Sequence, residues 1–134
     1  MTHDDVQRWL DGYVEAWRTY DPEKIGALFA PDVTYRYQPY EEPIAGREAV
    51  VAEWVESPDA AGSWQAHYEP YAVEGDRAVA VGTSRYLDER GAQRTIFHNV
   101  FLLRFDSEGQ CADFIEYWRE PPVGSRTGGA APQG

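Results

Sequence analysis

The sequence of 134 residues has little cysteine, few basic residues and no long apolar run. Cys111 is the single cysteine, which excludes an intramolecular disulfide and a multi-cysteine metal site. Lys and Arg number 12 against 23 Asp and Glu, and the formal net charge of -11 comes without the basic stripe that phosphate contacts require. The charge also disfavours anionic membrane surfaces, and no apolar stretch is long enough to cross a bilayer. We therefore expect neither nucleic acid nor a membrane as a partner.

The acidic amino-terminal stretch lacks the apolar segment of a signal peptide, so we expect a cytoplasmic protein. What the sequence does contain is a hydrophobic fraction of 43%, with 14% aromatic residues, which is enough for a sizeable core. The length fits one compact domain, expected over residues 1–122. Residues 123–134 have no hydrophobic pattern, and we expect them to form a disordered tail.

Helical periodicity occurs in three places in the amino-terminal half. Residues 4–20 repeat apolar side chains at steps of three and four, as an amphipathic helix does. A second, short helix is predicted to begin after Asp21, an N-cap followed by a proline, and to end at Pro31. A third is predicted between Gly46 and Ser57.

The remaining segments alternate apolar and polar residues, as strands do. A first strand begins at Val33 and breaks at Pro39, and Glu74-Gly75-Asp76 is a hairpin signal. The other strands are predicted over residues 63–73, 77–88, 94–105 and 111–120. Three helices on one face of an antiparallel or mixed sheet make an α+β fold.

Alternation along each strand predicts which side chains face the helices. If the turn at Gly75 has two residues, Tyr68 lies opposite Thr83 and shares its face, whereas a three-residue turn would send His67 inward. On the strand after this turn we take the larger residues as inward, which also places Arg85 on the inner face. The candidate site residues are Tyr13, Tyr35, Tyr37, Trp54, Tyr68, Arg85, Asn99, Phe101, Glu116 and Trp118. An aromatic cavity with few polar groups is typical of a site for a small apolar or aromatic ligand.

Glu116 and Arg85 are the candidate catalytic residues. A carboxylate between Phe114 and Trp118 is costly to bury unless it is paired or protonated. If it is unpaired, desolvation raises its pKa toward the range useful for acid–base work. If Arg85 reaches it, the pKa of Glu116 falls, and the pair is either structural or part of a recognition site for a ligand anion. Asn99 would orient whichever partner is present.

Metal and nucleophile chemistry have little support in the sequence. The three histidines are scattered, and His67 and His98 alternate with inward residues and should face outward. No cluster of ligands and no nucleophile elbow is present, so we expect no metal, no cofactor and no Ser–His–Asp triad.

The order of elements and five short motifs resemble the nuclear transport factor 2-like superfamily, specifically its SnoaL-like branch. The motifs lie at residues 13–21, 27–35, 46–50, 99–105 and 116–120, and the resemblance covers about residues 4–120. It implies a cone in which a curved sheet wraps the helices around an apolar pocket. It also implies a homodimer through the outer face of the sheet, where Val100 and Leu102 are expected.

Functions in this superfamily are diverse, and fold alone does not choose among them. The first helix is similar to that of the ketosteroid isomerases, with Tyr13 on their carbonyl-polarising tyrosine. However, Tyr37 replaces their general base, and Phe101 stands near their protonated aspartic acid, whose hydrogen bond it cannot donate. Isomerase chemistry of that kind is therefore not expected.

Two hypotheses follow for the function of the chain. One is an acid–base enzyme of the cyclase, dehydratase or isomerase kind in which Glu116 moves a proton. The other is a non-catalytic ligand-binding protein or a dimeric interaction module.

Overall fold

The computed structural model describes residues 1–122, and the expected tail at residues 123–134 lies outside this range. Helix α1 (His3–Thr19) begins with a capping box: the hydroxyl of Thr2 accepts from the N–H of Asp5 at 3.1 Å, and the Asp5 carboxylate accepts from the N–H of Thr2 at 2.9 Å. Helix α2 (Pro22–Ala27) has the predicted N-cap, because Asp21 accepts from the N–H of Glu23 at 2.9 Å. Helix α3 spans Arg47–Glu56.

Six strands form one mixed sheet. They are β1 (Phe29–Arg36), β2 (Ile44–Ala45), β3 (Trp64–Glu74), β4 (Arg77–Leu87), β5 (Gln93–Phe105) and β6 (Cys111–Arg119). The order across the sheet is β2-β1-β6-β5-β4-β3, with β1 parallel to β6 and the other neighbours antiparallel. The predicted α+β class is therefore confirmed.

Two boundaries near the amino-terminus differ from the predictions. The second helix does not run to Pro31 but ends at Ala27, and Phe29 already begins β1. The reason is pairing with β6, whose Cys111 N–H donates to the carbonyl of Leu28 at 2.8 Å. The two-residue strand β2, where no strand was predicted, pairs with β1 through Ile44 and Ala45.

The core between the helices and the sheet is built from aromatic rings. Tyr35 and Phe114 stack with centroids 4.4 Å apart and planes at 5°. Tyr13 of α1 also lies nearly parallel to Phe114, at 5.8 Å and 11°. Trp54 of α3 meets Tyr13 edge-to-face at 5.1 Å. Such pairs have preferred ring geometries, so the core orients its members as well as filling space.

The inner face of β4 is the main correction to the predicted facing. Its inward residues are the small Ala78, Ala80 and Ser84, followed by Tyr86 at the pocket, and Arg85 is exposed on the outer face. The prediction that Arg85 faces inward is therefore wrong. The physical reason is that the neighbouring strands already supply the bulk, since Phe101 lies opposite Ala80 and the larger alternative residues would collide with it.

Tyr68 nevertheless faces inward as predicted, because a shift of register on β3 offsets the reversed facing of β4. The hairpin has the expected two-residue turn, but a bulge between Pro70 and Ala72 shifts the register by one residue. Tyr68 therefore pairs with Gly82 rather than with Thr83. The proline is the sequence signal for the bulge, since it has no N–H to donate to the ladder.

Within residues 1–122, no helix combines the length and apolar character required to cross a membrane.

Gly82 is expected to be irreplaceable on β4. A Cβ added there would lie 2.0 Å from the carbonyl oxygen of His67 and 2.8 Å from the Cα of Tyr68, so the backbone of β3 would have to move. We expect Gly82→Ala to lower the free energy of unfolding by about 3 kcal/mol, as overpacking does at its upper range. Urea denaturation measures this change.

Gly26→Ala is the matched control. Its Cβ would meet side chains of Arg47 and Val51 at 3.7 and 3.8 Å, which is ordinary contact. Because Gly26 lies in α2, the substitution should stabilise the protein by about 0.5–1 kcal/mol. A Gly82→Ala variant as stable as the wild type would contradict the packing described for Tyr68.

Candidate functional site

A pocket of about 320 Å³ opens between α1, α3 and the inner face of the sheet. It is lined by eight of the ten predicted site residues. These are Tyr13, Tyr35, Tyr37, Trp54, Tyr68, Asn99, Glu116 and Trp118. Phe101 lies behind the wall, 1% exposed, with its ring 4.8 Å from that of Tyr68 and 5.5 Å from that of Tyr13. Arg85 is not part of the lining.

A chain of hydrogen bonds connects four side chains across four strands. The Tyr68 hydroxyl lies 2.5 Å from Ser84 Oγ, which donates to Asn99 Oδ1 at 2.9 Å. Asn99 Nδ2 then donates to Glu116 Oε2 at 2.6 Å. Since Ser84 donates to Asn99, its oxygen is left to accept from Tyr68. The amide of Asn99 is thereby oriented with its donor toward the carboxylate.

Glu116 has no cationic partner within residues 1–122. The ion pairs there lie on α1 and α2, between Arg8 and Asp5 and from Glu15 to Arg18 and Lys24. Burial raises the pKa of Glu116 from its ordinary 4.5 to about 7, against the opposing effect of the hydrogen bond from Asn99. Of the two alternatives open in the sequence, the structure therefore has the unpaired carboxylate.

Five tyrosine hydroxyls surround this carboxylate and are held neutral. Desolvation is the main cause of the raised pKa of each tyrosine hydroxyl, and the negative charge of Glu116 raises that pKa further. These are Tyr13, Tyr35, Tyr37, Tyr68 and Tyr86, and the pKa of Tyr86 rises to about 12. At neutral pH they are hydrogen-bond donors, not bases.

A belt of four aromatic side chains edges the pocket: Trp17, Tyr86, Phe97 and Trp118. Successive centroids along this aromatic belt are 6.3, 5.7 and 5.0 Å apart. The last two contacts are edge-to-face, at 85° and 83°. The belt therefore presents both ring edges and ring faces near the opening.

Asp59 ties the loop after α3 to the end of α1 at the mouth of the pocket. Its carboxylate accepts from Trp17 Nε1 at 3.0 Å and from the Tyr20 hydroxyl at 3.3 Å, and its N–H donates to the same hydroxyl at 2.9 Å. Tyr20 adopts a left-handed conformation, with φ of 52°, at the end of α1. That conformation is uncommon for a large side chain, and these bonds help to hold it.

One buried donor in the wall is unsatisfied. Trp54 is 8% exposed and lines the pocket, and its indole N–H has no hydrogen-bond partner within residues 1–122. A buried donor without an acceptor costs about 1–3 kcal/mol.

Sequence reasoning missed half of the lining. The missed residues are Trp17, Tyr20, Glu53, Ser57, Asp59, Ser84, Tyr86 and Phe97. Trp17 lies one helical turn after Tyr13, so helical spacing was an available signal. Ser84 and Tyr86 were missed because the inward face of β4 was predicted incorrectly, which placed both side chains on the outer face. Asp59 lies in an irregular loop, where no periodicity indicates a side chain's direction.

The histidines and the cysteine lie apart from the pocket. His67 and His98 are exposed on the outer face, as predicted, and Cys111 is buried at the start of β6. Within the described range, no three His, Cys, Asp or Glu side chains are grouped so that they could hold a metal ion.

Three helices against one face of a six-stranded mixed sheet, with a small-molecule-sized pocket between them, define the nuclear transport factor 2-like class of α+β proteins. Residues 10–114 match the model of the SnoaL-like domain, and the chain belongs to that family. The resemblance seen in the sequence is thereby confirmed. A comparison with curated proteins gives no match.

Glu116→Gln should remove a pH dependence of stability. An acid whose folded-state pKa is raised binds its proton more tightly when folded, so ionisation weakens the fold as pH rises. Between the ordinary 4.5 and about 7, wild type should lose stability relative to Glu116→Gln. The loss amounts to at most about 3 kcal/mol, since a tenfold change in proton affinity is worth about 1.4 kcal/mol.

The measurement is urea denaturation of both proteins from about pH 4 to about pH 8. Glu69→Gln is the control, because Glu69 is exposed on the outer face of β3 and loses the same charge there. A difference between wild type and Glu116→Gln that stays constant over this range would show that Glu116 is not desolvated.

Proposed function

We propose that this protein binds a small, largely apolar molecule in the pocket and moves a proton to or from it through Glu116. The reaction would be of the cyclase, dehydratase or isomerase kind. The observation that carries the proposal is a half-buried carboxylate that lines an aromatic pocket without a cation beside it. A pKa of about 7 populates both the acid and the base at neutral pH, which suits general acid–base catalysis.

The hydrogen-bonded chain that ends at Glu116 supports this role. Asn99 engages Oε2, whereas Oε1 has no hydrogen bond within residues 1–122 and is available to a substrate. Holding one oxygen reduces the rotational freedom of the carboxylate, and positioning of this kind contributes to catalysis. Tyr68 and Ser84 act through Asn99 and are positioning residues in the proposal.

Neutral tyrosines would stabilise negative charge that develops on the substrate. Arg85 was the predicted candidate for this task, but it lies on the outer face. Tyr13 and Tyr35 line the pocket within range of the Glu116 charge, and their hydroxyls keep their protons. Donors preorganised in a site with little water stabilise an oxyanion strongly.

Proton abstraction can be tested with 5-nitrobenzisoxazole, a small aromatic probe of general bases. The base removes the C–H proton, the N–O bond breaks as the nitrile forms, and coloured 2-cyano-4-nitrophenolate is released. We expect the wild-type rate to rise with pH around a midpoint near 7, as Glu116 ionises. Glu116→Gln should lower the rate at least about 100-fold, the usual contribution of a positioned base.

Glu69→Gln again controls for the lost charge and should retain the wild-type rate. A Glu116→Gln variant as fast as the wild type would exclude Glu116 as the base. If the probe binds but wild type reacts no faster than acetate in solution, the non-catalytic ligand-binding alternative is favoured.

A second element of the proposal is a homodimer through the outer face of the sheet. Two rows of apolar residues cross the central strands there. They are Val79, Leu102 and Ile115 in one row and Val81, Val100 and Tyr117 in the next. Helices α1 and α3 contribute to the core on the inner face, and Tyr117 is 44% exposed. A contiguous apolar patch of this kind, with Tyr117 exposed and the other five residues half-buried, favours association with a second copy.

Leu102→Glu should convert such a dimer into a monomer, because a charge buried at an interface is costly. The measurement is sedimentation equilibrium at micromolar concentration, compared with the chain mass of 15.2 kDa. Val55→Glu adds the same charge on α3, where Val55 is 39% exposed, and should leave the mass unchanged. A wild-type protein that sediments at the monomer mass would contradict the dimer.

A further inference from the structure

The charged side chains that line the pocket are all of one sign. Glu53 and Asp59 lie at the mouth and Glu116 lies in the wall, whereas none of the lining residues within residues 1–122 is Lys, Arg or His. The two mouth carboxylates also lack salt bridges in this range. An anionic ligand would have to enter this field and lie beside an unpaired carboxylate, which is unfavourable in a partly desolvated site.

The aromatic belt also favours a positively charged ligand over an anionic one. The faces of Trp and Tyr rings carry partial negative charge and attract cations within about 6 Å of the ring centroid. Trp118 and Phe97 stand on the same inner face as Glu116 and Asn99, so the belt continues to the carboxylate. Ring faces and a carboxylate together favour a positive group with an apolar body.

Groups around Glu116 do not neutralise it. The titratable side chains within its electrostatic range are the tyrosines at positions 13, 35, 37, 68 and 86, which stay neutral. Arg94 lies near enough to lower the pKa of Tyr86, but it does not line the pocket.

We propose that the ligand of this pocket carries a protonated or quaternary nitrogen, which lies beside Glu116 while the apolar body of the ligand packs against the aromatic belt. The nitrogen supplies the positive charge that the protein does not place next to this carboxylate. The mouth carboxylates attract the ligand to the opening. The inference rests on the proposed function, since it specifies the chemical class of the molecule bound there.

Three small probes of similar size separate charge from shape. Phenyltrimethylammonium is the cation, tert-butylbenzene has the same skeleton with carbon in place of nitrogen, and benzoate is the anion. Because Trp17, Trp54 and Trp118 line the pocket, tryptophan fluorescence of the full chain reports binding. At about pH 8 we expect the cation to bind at least about tenfold tighter than tert-butylbenzene, and benzoate not to bind.

The dependence on Glu116 is the sharper part of the test. Glu116→Gln should weaken binding of the cation at least about tenfold and leave binding of tert-butylbenzene unchanged, since only the cation loses an electrostatic attraction. Lowering the pH from about 8 to about 6 should weaken binding of the cation to the wild-type protein by a similar factor. A carboxyl with a pKa of about 7 is roughly nine-tenths ionised at the first pH and one-tenth at the second.

Two further variants guard against misfolding and non-specific charge effects. Glu53 is exposed at the mouth, so Glu53→Gln should fold and should weaken the cation only a few-fold, as screened charges do. Glu69→Gln, on the outer face, should leave binding unchanged.

If tert-butylbenzene binds as tightly as phenyltrimethylammonium, or benzoate binds better, the cationic ligand is excluded while the binding pocket stands. If Glu116→Gln weakens both probes equally, the attraction is not electrostatic and the inference fails. If none of the three binds, the inference and the proposed binding function fail together.

Discussion

The desolvated carboxylate of Glu116 is the constraint around which this site is organised. A carboxylate removed from water is normally paired with a cation, but the hydrogen-bond partner of the half-buried Glu116 within residues 1–122 is the amide of Asn99. The hydrogen bond from Asn99 lowers the pKa of Glu116, but desolvation raises it more, and the resulting pKa is about 7. The chain through Ser84 and Tyr68 then keeps the amide turned toward the carboxylate.

The aromatic core makes this arrangement rigid. Tyr35, Phe114 and Tyr13 lie nearly parallel, and Trp54 and Phe101 close the layer around Tyr13. Because close-packed interiors leave little room for rearrangement, the tyrosine hydroxyls are held where they reach the pocket. The same layer forms part of the wall around the half-buried Glu116, so the packing of the aromatic rings contributes to the desolvation that raises the pKa of this carboxyl.

The candidate site shows how sequence reasoning succeeds and fails on neighbouring strands. On β1, β5 and β6 one face carries most of the aromatic residues, and this face, which was predicted to be inward, is the inward face in the structure. On β4 both faces are apolar. Taking the larger residues as inward assigned the wrong face and led to the wrong prediction that Arg85 points inward. From Ala78 to Ser84 the inner face consists of small residues, because Tyr68 and Phe101 from the adjacent strands occupy the space above them.

The sequence by itself determined the order and type of the main elements, the α+β class, the family and most of the pocket's aromatic wall. Each of these depends on local periodicity or on short motifs, which a single chain displays directly. Tertiary structure alone decided the register across the bulge of β3, the facing of β4 and the absence of a cation beside Glu116. Those features depend on how much volume neighbouring strands leave and on which side chains come within hydrogen-bond distance, and neither quantity is encoded in the alternation of one segment.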